Sequence, residues 1–210
     1  MSRSRPIWPT AKRAWPKACD VGALDDGVKV AAVDAVEWSR WLDENHTVSK
    51  GAWLLRGRGA DVNRYVGYEE AICEALCFGW IDGPVRVFDE VSSGLWFAPR
   101  RPTSGWAATN KARIARLEAE GRLRPAGVRA LEIARANGAW EILDGPEAGN
   151  EPPELTTALD AVPAARANWD AFPPSARKFG LTQIAMAVRP QTREARIAKI
   201  VADAAAGKRP

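Results

Sequence analysis

Histidine is almost missing from this chain, since His46 is the only one in 210 residues. That scarcity excludes a two-histidine metal site and makes any serine or cysteine triad depend on one imidazole. Cysteine is nearly as rare. Cys19, Cys73 and Cys77 are odd in number and give no disulfide framework or paired metal-ligand spacing, so Cys73 and Cys77, four apart, read as small core residues. No apolar run is long enough for a membrane span or a secretory leader, and the expectation is a cytoplasmic protein of bacterial type. G-x-S-x-G, P-loop and H-E-x-x-H motifs are absent, as are internal repeats and coiled-coil heptads. No cofactor and no metal is expected.

What is present is tryptophan and arranged charge. The chain holds 10 Trp and a net charge of +4. Residues 100–140 carry 9 Lys/Arg against 3 Asp/Glu and residues 175–210 carry 8 against 2, whereas residues 141–174 between them carry 1 against 7. Two readings follow. Either the blocks neutralise each other in the fold, or a basic face remains for an anionic partner, nucleic acid included.

The best-defined element is Tyr68 to Gly83. Tyr68, Ala71, Ile72, Ala75 and Leu76 recur at helical spacing, which places them on one buried face. Glu69 and Glu70 suit the first turn, and Gly79 suits the stop. Val85, Val87, Leu95 and Phe97 then predict a hairpin turning at Ser92-Ser93-Gly94. Upstream, Val28–Val33 reads as a strand, Asp34 to Glu37 as a capping box before a helix that buries Trp38, Trp41 and Leu42, and Trp53-Leu54-Leu55 as a second strand. Arg56-Gly-Arg-Gly59 lacks the strand and helix context of a dinucleotide site and reads as a loop.

Beyond the hairpin, Ser104 is the expected N-cap of a helix closed by Gly121, with Trp106, Asn110, Ile114 and Leu117 on one face. Pro125 to Gly138 frames the next helix. Four further helices follow at Glu154–Val162, Ala164–Phe172, Ala176–Val188 and Gln191–Ala206, too short to stand alone. The expected organisation is a mobile arm over 1–27, an α+β core over 28–143, an acidic linker over 144–153 and a C-terminal helical cap over 154–207. The fold class is α+β and mainly helical, a small antiparallel sheet packed against helices.

One constellation carries chemistry: Trp80, Asp82, Arg100, Arg101, Trp106, Asn110 and Lys111. A hairpin between Asp82 and Arg100 returns the chain to its start, so these groups converge on one rim in the sequence reading. Arginines between prolines, beside a helix N-terminus and indole faces, suit a small anionic or carboxylate-bearing ligand or a protein partner. The structural alternative is an ion pair of Asp82 with an arginine and an Asn110 bonded to backbone. An enzyme with Asp82 as acid or base is the functional rival; no residue is assigned a catalytic role, and a non-enzymatic protein is the expectation.

EALCFGWIDG, FAPRRPTSGW, TNKARIARLEAEGRLRPAG and VRPQTREARIAKI together resemble, in order and spacing, the YdeI/OmpD-associated (bacteriocin-protection) family over roughly residues 36–205. Ala107 and Arg124 depart from that pattern where serine or threonine is usual. The resemblance implies a compact, mainly helical α+β domain without established enzyme activity. It also implies, through the family's name, a stress-response role in resistance to bacteriocins or cationic antimicrobial peptides.

Overall fold

The computed structural model describes residues 27–59 and 64–210. The arm expected over 1–27, with Trp8, Trp15 and Cys19, lies outside the described residues except for Gly27. Two compact units divide the chain: one within Met1–Ala75 and Trp80–Pro99, the other formed by Leu76–Gly79 and Arg100–Pro210.

The first unit contains β1 (Val28–Val30), α1 (Ala35–Asn45), β2 (Ala52–Gly57), most of α2 (Tyr68–Cys77), β3 (Trp80–Val87) and β4 (Ser92–Pro99). Its four strands run in the order β1-β2-β4-β3. The protein is α+β and mainly helical as its periodicities predict, but the sheet is mixed. β2 pairs with β4, and β4 with β3, antiparallel, whereas β1 lies parallel to β2. The reason is the connection, because α1 returns the chain to the same end of the sheet before β2 begins. β2 also continues through Arg56 to Gly57, so the expected loop starts only at Arg58.

Asp34 caps α1 with its carboxylate accepting from Glu37 N at 2.9 Å, and Glu37 reaches back to Val33 N at 3.1 Å. That reciprocal pair satisfies the Glu37 amide, which the first turn would otherwise leave open, and the Val33 amide just before the cap. Trp38, Trp41 and Leu42 are fully buried. Trp38 stacks on Trp41 with centroids 5.3 Å apart, tilts against Phe97 at 5.2 Å, and donates its indole N–H to Ala71 O at 3.0 Å.

In α2, Ala71, Ile72, Ala75 and Leu76 are buried as the spacing requires, along with Cys73 and Cys77. Tyr68 differs, remaining 45% exposed. It stands in the first turn, with its ring beside the Arg56 guanidinium at 5.5 Å and its hydroxyl turned to Asp82. Gly79 ends the helix at φ 73°, and a Cβ there would lie 2.9 Å from Ala130 Cβ. Only glycine meets both conditions without strain.

The hairpin turns earlier than Ser92-Ser93-Gly94, which belong to β4. The turn is built by Asp89, whose carboxylate accepts from Val91 N, Ser92 N and the Ser92 hydroxyl at 2.7–2.9 Å. Those donors hold its pKa below the ordinary aspartate value. Val85 and Val87 are exposed rather than core, because β3 is an edge strand and its register shifts between Asp82 and Val85.

The second unit is helical: α3 (Ala108–Ala119), α4 (Pro125–Ala136), α5 (Asp144–Ala148), α6 (Pro153–Asp160), α7 (Pro163–Ala171), α8 (Pro174–Ala185) and α9 (Pro190–Ala205). α3 opens on Ala107 without a side-chain cap, so Ser104 does not fill the role expected of it. The acidic stretch 144–153 holds the short helix α5 and lies inside this unit. α6 to α9 share a core of Leu155, Leu159, Trp169, Leu181, Ile184 and Ile200 with smaller neighbours. Val188, the expected end of a helix, falls beyond the end of α8 and is 84% exposed. Among the described residues no helix is long and apolar enough to cross a membrane.

Arg166 of α7 pins this cluster. It makes two hydrogen bonds of 2.9 Å to Glu151 and also pairs with Asp170, while Trp169 donates its indole N–H to Glu151 at 2.7 Å. The Arg166 hydrogen bonds hold Glu151 below the usual 4.5, with Trp169 adding to the effect and partial burial opposing it. A depressed carboxylate contributes stability above its unfolded value and loses that contribution as pH falls through the folded one.

Two outcomes follow from this packing. Leu76→Ala should cost about 2–5 kcal/mol, read as a drop in the urea midpoint, because Leu76 is 1% exposed and its removal leaves a cavity. Glu151→Gln should lower stability at pH 7 by about 1–3 kcal/mol and flatten the loss of far-UV ellipticity on acidification below pH 4.5. An unchanged acid limb would mean that the Arg166 contact is not what titrates.

Candidate functional site

The seven residues singled out in the sequence fall into two groups. Trp80 and Asp82 belong to the first unit, and Arg100, Arg101, Trp106, Asn110 and Lys111 to the second. Each group has its own partners.

Trp80 is 1% exposed and meets Trp41 edge-on at 5.9 Å, so its indole is part of the aromatic core around α1. Asp82 is half-buried and faces Phe97 across the ladder. Its Oδ2 accepts from the Tyr68 hydroxyl at 3.4 Å. A tyrosine on the preceding helix thus donates to this acid.

In the second unit the chain from Arg100 to Ala107 forms a loop held by its own first residue. Arg100 donates its backbone N–H to Gly79 O at 3.0 Å, and its Nη2 to Gly105 O at 2.7 Å and Ser104 O at 3.4 Å. Its guanidinium lies 3.7 Å from the Trp106 ring centroid. A planar cation over an indole that also donates to carbonyls is a rigid staple. Gly105 lets the loop settle, since a Cβ there would stand 2.7–2.8 Å from side-chain atoms of Leu143 and Ile142. Arg101 is exposed, and its carbonyl accepts from Ser104 N in the turn.

Trp106 is buried and tilts against Trp140 with centroids 5.2 Å apart. Lys111 and Arg135 each place their charge 5.1 Å from the Trp140 ring. Lys111 also pairs with Asp144, and Arg135 with Glu118 at 3.2 Å. The result is a continuous line of cations and indoles, from Arg100 through Trp106 and Trp140 to Lys111 and Arg135. Asn110 is buried on the apolar face of α3, and its Oδ1 accepts from Arg113 Nη1 at 2.8 Å. The partner a desolvated amide needs therefore comes from the next turn of its own helix.

Arg100, Trp106 and Lys111, singled out in the sequence, lie along this line, and Trp140 and Arg135, which were not, lie along it too. A signal was there: Trp140 comes two residues after the helix-stopping Gly138, close to the pattern of Trp80 and Trp106, which directly follow Gly79 and Gly105. Among the described residues no group of three or more His, Cys, Asp or Glu could hold a metal ion. α3 begins on Ala107 in an extended conformation, φ −68° and ψ 150°, with no side chain accepting from its first turn. Such an end carries partial positive charge and open N–H groups.

Comparison with known proteins divides the chain differently from the packing. No curated protein and no solved structure matches it. Residues 30–130 match the family described as a domain of unknown function (DUF8412), and these include the motifs around Trp80, Arg100 and α3. The match to the family described as bacteriocin-protection, YdeI or OmpD-associated covers residues 150–207, narrower than the 36–205 over which the motifs resemble it. α6 to α9, with the VRPQTREARIAKI segment, are thus the part of this chain that carries the YdeI/OmpD-associated pattern.

Proposed function

We propose that the protein is a non-catalytic, cytoplasmic binding module of the YdeI/OmpD-associated type, acting in protection against bacteriocins or cationic antimicrobial peptides. The family match over residues 150–207 supports the protective role through the words of its description. A net charge of +4 argues against direct sequestration of cationic peptides by bulk electrostatics, so protection through a bound ligand or partner is the better reading.

The observation that carries the binding role is the opening of α3. An uncapped 12-residue helix follows a loop that Arg100 holds rigid and that leaves Arg101 in solvent. A small carboxylate or phosphate at that N-terminus would take hydrogen bonds from the first-turn amides and charge from Arg101. Trp106 and Trp140 stiffen the platform beneath.

The test uses thermal shifts of the full chain with a panel of small carboxylates and inorganic phosphate. Arg101→Ala should abolish the ligand-induced shift and leave the free protein within about 0.5 kcal/mol of its stability. Arg100→Ala should destabilise the free protein by about 1.5–3 kcal/mol. Ala107→Asp should act in opposite directions, raising stability by about 1 kcal/mol as a new N-cap while weakening anion binding. Ligand shifts that survive both Arg101→Ala and Ala107→Asp would overturn the assignment.

A further inference from the structure

Asn137 and Gly138 form the only Asn-Gly pair in the sequence, and they stand where α4 stops, Asn137 as its C-cap and Gly138 left-handed at φ 78°. Asparagine is chemically labile because its side-chain amide carbon lies within reach of the next residue's backbone nitrogen. Glycine, with no Cβ, leaves that approach open. Both residues are exposed, and a Cβ placed on Gly138 would meet nothing within 4 Å, so no neighbouring group shields the pair.

In the folded chain the Asn137 amide is engaged at both ends. Its Nδ2 donates to Pro102 O at 2.9 Å, and its Oδ1 accepts from Ala139 N at 3.0 Å. The first bond ties the Arg100–Ala107 loop to the end of α4, and the second holds the turn after the helix. The backbone also stands away from the reactive shape. Ring closure requires Gly138 N to eclipse Asn137 Cβ, whereas ψ of 6° eclipses it with the nitrogen of Asn137 itself. The pair is therefore inert while the loop is tied and reactive once the tie opens and ψ turns.

We propose that Asn137 is a self-modification site gated by its bond to Pro102, and that its conversion permanently releases the Arg100–Ala107 loop from α4. Gly138 N, losing its proton to base, adds to Asn137 Cγ; the bond from Cγ to Nδ2 breaks, and ammonia leaves with a proton returned from solvent. Water then opens the cyclic imide at either carbonyl, leaving aspartate or isoaspartate at position 137. Neither product restores the tie. Aspartate has no N–H for Pro102 O, turns anionic oxygens toward it, and sets negative charge at the C-terminal end of α4, where the helix dipole opposes it. Isoaspartate adds a methylene to the main chain before the left-handed glycine. Trp106 stays against Trp140, so release loosens the stretch from Arg101 to Ser104 and leaves the aromatic contact in place. The chemistry is independent of any ligand at α3.

The experiment incubates the full chain at mildly alkaline pH, folded and in urea, and follows each asparagine by peptide mass spectrometry as amide becomes acid. In urea Asn137 should convert ahead of every other asparagine. In the folded chain it should convert about tenfold more slowly than in urea, because only the open fraction reacts. Arg100→Ala, which frees the loop at its base, should raise the folded-state rate about tenfold while far-UV ellipticity shows the helices intact. Asn137→Gln should block conversion at that position. Asn137→Asp, which mimics one product, should speed hydrogen exchange at the Ser104 amide, bonded to Arg101 O at 2.9 Å, about tenfold. Another asparagine converting first in urea, a folded-state rate equal to that in urea, an Arg100→Ala variant that converts no faster, or unchanged Ser104 exchange in Asn137→Asp would each overturn the proposal.

Discussion

Much of the chain's geometry depends on the abrupt exchange of helix for strand at Gly79. α2 runs to Cys77 and β3 begins at Trp80, so two residues must stop one hydrogen-bond pattern and start another. A left-handed glycine does this, and the turn it creates is used twice. Its carbonyl accepts from Arg100 N at 3.0 Å, and the Cys77 carbonyl just before it accepts from Arg124 N at 3.0 Å. The orphaned acceptors at the end of α2 thus receive the two later points where the chain comes back, one before the Arg100 loop and one at the start of α4. A side chain at Gly79 would lose the turn and collide with Ala126 O at 3.1 Å.

Elements whose signals are local were legible in the sequence. The Asp34–Glu37 box needs only four residues to close, and the C-terminal helices announce themselves through proline followed by apolar residues at helical spacing. α6 to α9 begin and end within a few residues of their expected bounds. Elements decided by distant contacts were not legible. Tyr68 has the spacing of a core residue, yet its partners Arg56 and Asp82 come from β2 and β3. The hairpin turn could have been placed at Ser92-Ser93-Gly94 or at Asp89, and what decides is a carboxylate that collects three donors. A parallel β1 cannot be read from three residues.

The candidate site was half legible for the same reason. Arg100 and Trp106 are six apart and joined by a loop, so their stacking is nearly a local property. Trp140 lies 34 residues beyond Trp106 and reaches it only after α3 and α4 have folded back. Asn110 was read rightly as desolvated, but its answer, Arg113, lay one turn along the same helix.

Five helices of the second unit, α4 and α6 to α9, open with proline in the first turn, each behind an extended residue: Arg124, Pro152, Val162, Pro173 and Arg189. Proline disfavours helical backbone in the residue before it and fixes its own φ. Those two limits act in the unfolded chain as much as in the folded one. Before any core has formed, the disordered chain is already punctuated into segments that cannot fuse into a longer helix or slide past their starts. Much of the search for this half of the fold is thereby reduced to pairing pieces whose first residues are written in the covalent structure.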